Sequence, residues 1–293
     1  MSERELRTTT DRSQVRDWAL VLASEGIEGR ITEEAPNYTL WVPELDAQDA
    51  ELLLRIYEQE NERPPARWAP PASLSDSASF QGALAVVTAM VAFFTVTGPR
   101  DLQSIWFARG SADAGRIASG ELWRSVSALT LHADWAHVAS NAALGAFLLT
   151  ALGRTVGPGV AFGLSLLAGV GGNIVNAVLR SAPHVSVGAS TAVFGMVGIL
   201  SGLSIVRRRE REESVRRVAL PLAGALAILA MIGTAGDRVD VWAHLFGLLA
   251  GLPIGLVAGW RWHSPPKAAV QIAAAASAVA ALVLSWQLAF AAV

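Results

Sequence analysis

Cysteine is absent from the 293-residue chain, and charged residues are scarce at 16% of the sequence. The first absence excludes disulfide bonds, thiolate catalysis and thiolate metal ligands. The scarcity of charge, with 52% hydrophobic residues and a mean hydropathy of +0.40, is untypical of a soluble protein and indicates a membrane protein. Lys267 is the only lysine, so arginine supplies nearly all the positive charge. The net charge of −2 gives no indication of nucleic-acid binding.

The N-terminal region, residues 1–62, has the pattern of a small soluble domain. Apolar residues at helical spacing predict a helix over 13–24, and short β-prone runs follow at 27–32 and 38–42. Asp46 can cap a second helix. This order predicts a compact α/β domain with a docking or regulatory role, because no catalytic constellation appears in it. Its polar, charged start lacks the apolar core of a signal peptide, so we expect a cytoplasmic N-terminus.

The sequence changes character after a proline-rich linker at 63–79, and we expect a membrane domain over 80–293. A membrane-spanning helix needs roughly 20 mostly apolar residues. Seven stretches meet this condition, at about 80–98, 137–155, 158–179, 187–206, 217–234, 240–259 and 268–290. The sequence therefore predicts an all-α polytopic membrane domain with seven spans.

The orientation of these spans follows from the placement of arginine. The loop at 207–217 carries six arginines and is therefore expected to be cytoplasmic. Arg154, Arg261 and Lys267 then lie on the same side as the N-terminal domain. The C-terminus is expected outside, and the spans beginning near 187 and 240 both run inward from the outer face.

A serine and a histidine stand at the starts of those two inward spans. The imidazole of His244 can accept the proton of the Ser190 hydroxyl, which can then attack a carbonyl. Serine near a span end often serves only helix packing, but ionisable residues within spans are rare and usually functional. Gly247, Gly251 and Gly255 share a helix face with His244 and permit close approach of a second helix. The pattern predicts a Ser-His dyad.

A third cluster precedes the second predicted span. His137 and Asn141 are four residues apart and share a helix face, where both can donate hydrogen bonds to an oxyanion. His132 is expected to fix the loop. A zinc site formed by His132, His137 and His244 is the alternative, but no His-Glu-x-x-His pattern is present, so we predict no metal and no cofactor. His184 lies in a short loop and is expected to be solvated.

The order and spacing of these residues resemble the rhomboid intramembrane serine proteases. The resemblance extends over about 80–260 and rests on Trp123-Arg124, His132, His137, Asn141, Gly188-Ala189-Ser190, Ala243-His244, Gly247 and Gly251. It implies a rhomboid-like six-helix core with one additional C-terminal helix at about 268–290. The N-terminal domain is similar in layout to that of some bacterial rhomboids, so we expect a bacterial inner-membrane protein.

The resemblance also implies roles for individual residues. Ser190 would be the nucleophile and His244 the general base. His137, Asn141 and the backbone N–H of Ser190 would form the oxyanion hole. Other matched residues would be structural near the site: His132, Gly188, Phe194, Gly247, Trp123 and Arg124.

Two positions depart from the pattern of that family. Thr191 stands where a glycine usually follows the serine, and its branched side chain bears on the width of the substrate cleft. Phe194 stands where an aromatic residue, often tyrosine, stacks on the base; it keeps the ring and loses the hydroxyl. Neither departure removes a member of the dyad.

The function implied is cleavage of single-span membrane proteins within the lipid bilayer, near the outer end of their span. Substrates with glycine, proline or small polar residues near the cut are favoured, because a peptide bond must leave its helix before a serine can attack it. No third acid is evident, so a dyad is expected. One alternative is an inactive rhomboid relative that binds membrane clients, although Ser190 and His244 are both retained. A transporter is another, and it is disfavoured because the spans lack paired acids and a repeat.

Overall fold

A computed structural model describes residues 2–61, 76–102, 104–180, 183–232 and 240–292. The chain divides into two compact units, residues 1–69 and 70–293. Most of the predicted linker at 63–79 lies outside the described residues, and its last residues begin the first long helix.

The N-terminal unit is an antiparallel three-stranded sheet with two helices. Its elements are β1 (Glu3–Thr9), α1 (Arg12–Ser24), β2 (Arg30–Glu34), β3 (Asn37–Pro43) and α2 (Ala47–Asn61), and the strand order is β1-β3-β2. Trp18 and Leu22 of α1 pack on Leu40 of β3 in a core of buried apolar side chains. The predicted α/β layout is confirmed, with one strand more than the sequence indicated.

Strand β1 was not predicted from the sequence because most of its residues are charged or polar. Only Leu6 packs against the core. Arg7 instead forms ion pairs with Glu51 at 2.7 Å and Glu58 at 3.3 Å, both on α2. An edge strand held partly by ion pairs lacks the alternation of apolar and polar residues that indicates a strand.

The membrane unit is almost entirely helical. Its long helices are α3 (Asp76–Thr97), α7 (Trp135–Val156), α8 (Pro158–Leu179), α9 (Ser190–Glu210), α10 (Val215–Ile232), α11 (Val241–Arg261) and α12 (Ala268–Ala291). The short elements α4 (Ile105–Gly110), β4 (Ala112–Asp113), α5 (Ala114–Ala118) and α6 (Arg124–Ser127) connect α3 to α7, and β5 (Val185–Ser186) precedes α9. Strands β4 and β5 pair antiparallel, so the two connections are joined.

Six segments among the described residues are long and apolar enough to cross a membrane. They are Ser77–Leu102 and helices α7, α8, α9, α11 and α12. They coincide with six of the seven predicted spans, which confirms a polytopic helical membrane protein. Helix α10 lies at the position of the remaining span, 217–234, whose last two residues fall outside the described part.

Helices α9 and α11 approach each other closely through small residues. A Cβ added to Gly247 would lie 2.1 Å from the Thr191 carbonyl oxygen, and one added to Gly255 would lie 2.1 Å from that of Ile199. A step from 247 to 255 on α11 thus matches a step from 191 to 199 on α9. The two helices therefore run in the same direction, and their first residues lie at the same end.

We expect Gly251→Ala to separate these helices. The new methyl group would lie 2.0 Å from the Gly195 carbonyl oxygen, which neither backbone can yield without moving. Overpacking of this kind costs about 1–3 kcal/mol, so the thermal unfolding temperature in detergent should fall. Gly224→Ala on α10 is the control, because no atom of the described residues lies within 4 Å of its added Cβ. Equal unfolding temperatures for both variants would contradict this close packing.

Candidate active site

Ser190 is the first residue of α9, and a short, hydrogen-bonded loop holds it there. The Gly188 N–H donates to the Ala128 carbonyl at 2.9 Å, and the Ala189 N–H donates to His132 Nε2 at 3.4 Å. Gly188 has a φ of +124°, which residues with a side chain rarely adopt. Hydrogen bonds from the backbone of Gly188 and of Ala189 thus hold the loop directly before the serine.

His132 holds this loop from a fully buried position. Burial and, to a smaller degree, the neighbouring His137 ring together lower the pKa of His132 to about 3. A neutral imidazole that accepts at Nε2 carries its proton at Nδ1. His132 therefore supplies a fixed acceptor for the Ala189 N–H.

The space beside Gly188 is shared by two side chains. A Cβ added to Gly188 would lie 2.6 Å from His137 Cε1 and Nε2, and 3.7 Å from Ser190 Oγ. The other ring nitrogen of His137, Nδ1, accepts from the Ala133 N–H at 3.3 Å. A neutral His137 therefore carries its proton at Nε2 and directs this donor into the space that Ser190 Oγ also faces.

Asn141 lies one turn after His137 on α7 and is 4% exposed. Its Nδ2 group is buried and has no hydrogen-bond partner among the described residues. An unsatisfied buried donor costs about 1–3 kcal/mol and is rare in folded proteins. An amide kept in this state is suited to donate to a bound group that carries negative charge.

His244 lies in the first turn of α11 and is 8% exposed. Its ring stacks on Phe194 of α9, with 4.5 Å between the ring centroids and 22° between the planes. His244 precedes Gly247 by one turn and Ser190 directly precedes Thr191, so the parallel contact of α9 and α11 places both at the same helix ends. The stacking limits the orientations open to the imidazole.

Thr191 lies at the junction of three helices. Its side chain is buried, and its Cγ2 lies 2.6 Å from the Cβ position of Gly172 on α8 and 3.1 Å from that of Gly247 on α11. The methyl group therefore fills the space that these two glycines leave. Thr191 thus makes a packing contact with α8 and α11, and its effect on the width of a substrate cleft stays a prediction.

Arg124 organises the connection between α3 and α7. It is 3% exposed, and its Nη1 donates to the carbonyls of Ala108 at 3.1 Å and Ser111 at 3.2 Å, while Nε pairs with Glu121. The carbonyl of Trp123 accepts from Ser127 Oγ at 3.2 Å. These contacts hold the short elements that pair with the strand before Ser190.

The expectation that His184 is solvated is wrong. His184 Nε2 lies 2.8 Å from Asp240 Oδ2, and Asn176 Nδ2 lies 2.9 Å from the same oxygen. These residues are far apart in the sequence and the pattern gave no indication of their meeting. The available signal was an aspartate at the start of a span, four residues before His244.

An apolar cavity of about 930 Å³ lies beside α9, away from α11. Asn141, Ala192 and Met196 line it, together with side chains of α3 and α12. Among the residues described, no group of three or more His, Asp or Glu side chains could hold a metal ion.

Known proteins are similar to this part of the chain. Residues 119–261, which include all four candidate catalytic residues, match the family model described as a rhomboid domain. The chain is 29% identical over 135 residues to a putative rhomboid protease, YdcA, of Bacillus subtilis, 31% over 142 residues to the rhomboid protease GluP of the same organism, and 28% over 151 residues to rhomboid-like protease 1 of Toxoplasma gondii. The alignments cover 46%, 48% and 51% of this chain, and 66%, 27% and 52% of those relatives.

Proposed function

Because this chain belongs to the rhomboid family and is an integral multi-pass membrane protein, we propose that it is an intramembrane serine endopeptidase with a Ser190–His244 dyad. His244 takes the proton of the Ser190 hydroxyl as the oxygen attacks the carbonyl carbon of a substrate peptide bond. The same imidazole then gives this proton to the departing amine. Water, activated by His244, releases the second product from the serine ester.

The oxyanion of the tetrahedral intermediate is stabilised by donors on two helices. His137 Nε2 and Asn141 Nδ2 come from α7, and the backbone N–H of Ser190 comes from the start of α9, where N–H groups have no partner within the helix. The observation that carries the proposal is the space beside Gly188, which both Ser190 Oγ and the His137 ring face. A carbonyl oxygen bound near this point would lie close to both the nucleophile and the His137 donor.

The substrates we propose are single-span membrane proteins, cut near the outer end of the span. In lipid, a helical peptide bond keeps its hydrogen bonds, so glycine, proline or small polar residues near the cut lower the cost of exposing it.

The test is cleavage of a single-span substrate by purified protein in liposomes, with the products located by mass spectrometry. We expect a cut within or beside the span that Ser190→Ala eliminates. Binding of the substrate without any cut, by wild-type protein, would instead support an inactive family member that holds membrane clients.

We propose that the active site faces the outside of a bacterial inner membrane and that the N-terminus is cytoplasmic. Ser119 is exposed in the connection that pairs with the strand before α9, and Ser214 is exposed just after the end of α9. We therefore expect the two serines on opposite sides of the membrane. The chain has no cysteine of its own. In intact cells, Ser119→Cys should react with a membrane-impermeant thiol reagent and Ser214→Cys should react only after lysis. The reverse pattern would place the site on the cytoplasmic side.

A further inference from the structure

Asp240 is the residue before α11, and its two carboxylate oxygens have separate partners. Oδ1 accepts from the Ala243 N–H at 3.1 Å and caps the helix. Oδ2 accepts from Asn176 Nδ2 at 2.9 Å and from His184 Nε2 at 2.8 Å. The helix cap needs only Oδ1, so the two contacts of Oδ2 are additional to the cap.

The partners of Oδ2 belong to different parts of the membrane unit. Asn176 is 2% exposed and lies in the last turn of α8. His184 directly precedes β5, and its backbone carbonyl accepts from the Ala114 N–H at 2.9 Å. One carboxylate thus ties the start of the helix that carries His244 to α8 and to the segment that leads into Ser190.

The glycine contacts between α9 and α11 begin at Gly247, one turn further along than His244. The first turn of α11 therefore lies beyond that contact, and the backbone N–H of His244 itself bonds to the Asp240 carbonyl at 3.2 Å. Any movement of Asp240 is transmitted to His244 through this turn. The carboxylate is placed to set the position of the imidazole relative to the serine.

We propose that Asp240, with His184 and Asn176, is a positioning residue for the dyad. It acts on His244 through the backbone of α11 and on Ser190 through β5, and it takes no proton in the reaction. This inference rests on the proposed function. A misplacement of reacting groups by about 1 Å can cost on the order of 10²-fold in rate, so a clear kinetic effect is expected.

Asp240→Asn should disrupt the contacts with Asn176 and His184 while it keeps the helix cap. The amide oxygen of asparagine can still accept from the Ala243 N–H, but its NH₂ group would face the two donors of Asn176 and His184. We expect kcat on the liposome substrate to fall about 10-fold to 10²-fold, with KM nearly unchanged. Asp113→Asn is the matched control, because Asp113 caps α5 with a 3.0 Å bond from the Arg116 N–H and its side chain bonds to no other element in the described part of the chain.

His184 gives a second test by rescue. His184→Ala removes a donor to Oδ2 and should reduce kcat as Asp240→Asn does. His184→Gln keeps an N–H donor and should recover most of the rate. Thermal unfolding in detergent is measured for all four variants, since a purely structural role predicts that loss of rate and loss of stability change together.

The outcomes separate this inference from the proposed function. Cleavage by wild-type protein, with low kcat in Asp240→Asn and His184→Ala and recovery in His184→Gln, supports the positioning role. If these variants matched Asp113→Asn in kcat, the positioning role would be overturned and the protease function would stand. It would also be overturned if His184→Gln were as slow and as unstable as His184→Ala. Wild-type protein that neither cleaves the substrate nor reacts with a serine-directed probe would overturn both.

Discussion

Alanine at Ser190 or at His244 should abolish cleavage, and the double variant should be no slower than either single one. The serine is a weak nucleophile without the base, and without the serine the base has no hydroxyl proton to accept. In serine proteases that work this way, each loss costs on the order of 10⁶-fold in kcat. The measurement is single-turnover cleavage of a membrane substrate in liposomes.

The controls for this experiment lie on the surface. His263→Ala removes an exposed histidine paired with Glu210, and Ser119→Ala removes an exposed serine; both should cleave at the wild-type rate. Near-normal turnover by His244→Ala would show that the base has been assigned wrongly.

Asn141→Ala and His137→Ala should each slow cleavage about 10²-fold to 10³-fold, with little change in KM, because an oxyanion donor acts mainly in the transition state. Asn141 allows a sharper test, since its Nδ2 is buried without a partner among the described residues. Removing an unsatisfied donor should leave the free energy of unfolding unchanged or raise it. A packing role predicts the opposite, namely lower stability with normal rates.

Both quantities are measured on the same preparations, by cleavage kinetics and by thermal unfolding in detergent. Full activity in both single variants and in the double variant would make His137 and Asn141 packing residues only. If Asn141→Ala lost stability as well as activity, the unpartnered Nδ2 group would no longer support a role for Asn141 as an oxyanion donor.

The sequence predicts the long helices because their signal is local. Runs of about 20 apolar residues occur with few charges, and the structure has helices there. The close pairing of α9 and α11 was also predictable, since Gly247, Gly251 and Gly255 recur every four residues and leave one helix face smooth. Strand β1 was not predictable, because its contacts include ion pairs with a helix more than 40 residues later.

The details around the candidate site depend on contacts between distant segments. Nothing near Thr191 in the sequence indicates that its methyl group fits between Gly172 and Gly247. Likewise, His184 and Asp240 are 56 residues apart and meet only because the end of α8 and the starts of β5 and α11 lie on the same side. Sequence patterns predict which residues would carry the chemistry, whereas the orientation of those residues follows from how the helices pack.

The most direct test of the Ser-His dyad is labelling of the purified membrane protein with a fluorophosphonate, followed by mass spectrometry of the modified peptide. Such probes react with serines that a neighbouring base has activated. We predict a single adduct on Ser190, absent in His244→Ala and unaffected in His263→Ala. An unlabelled wild-type protein, or an adduct on another serine, would contradict the assignment of Ser190 and His244 as a catalytic pair.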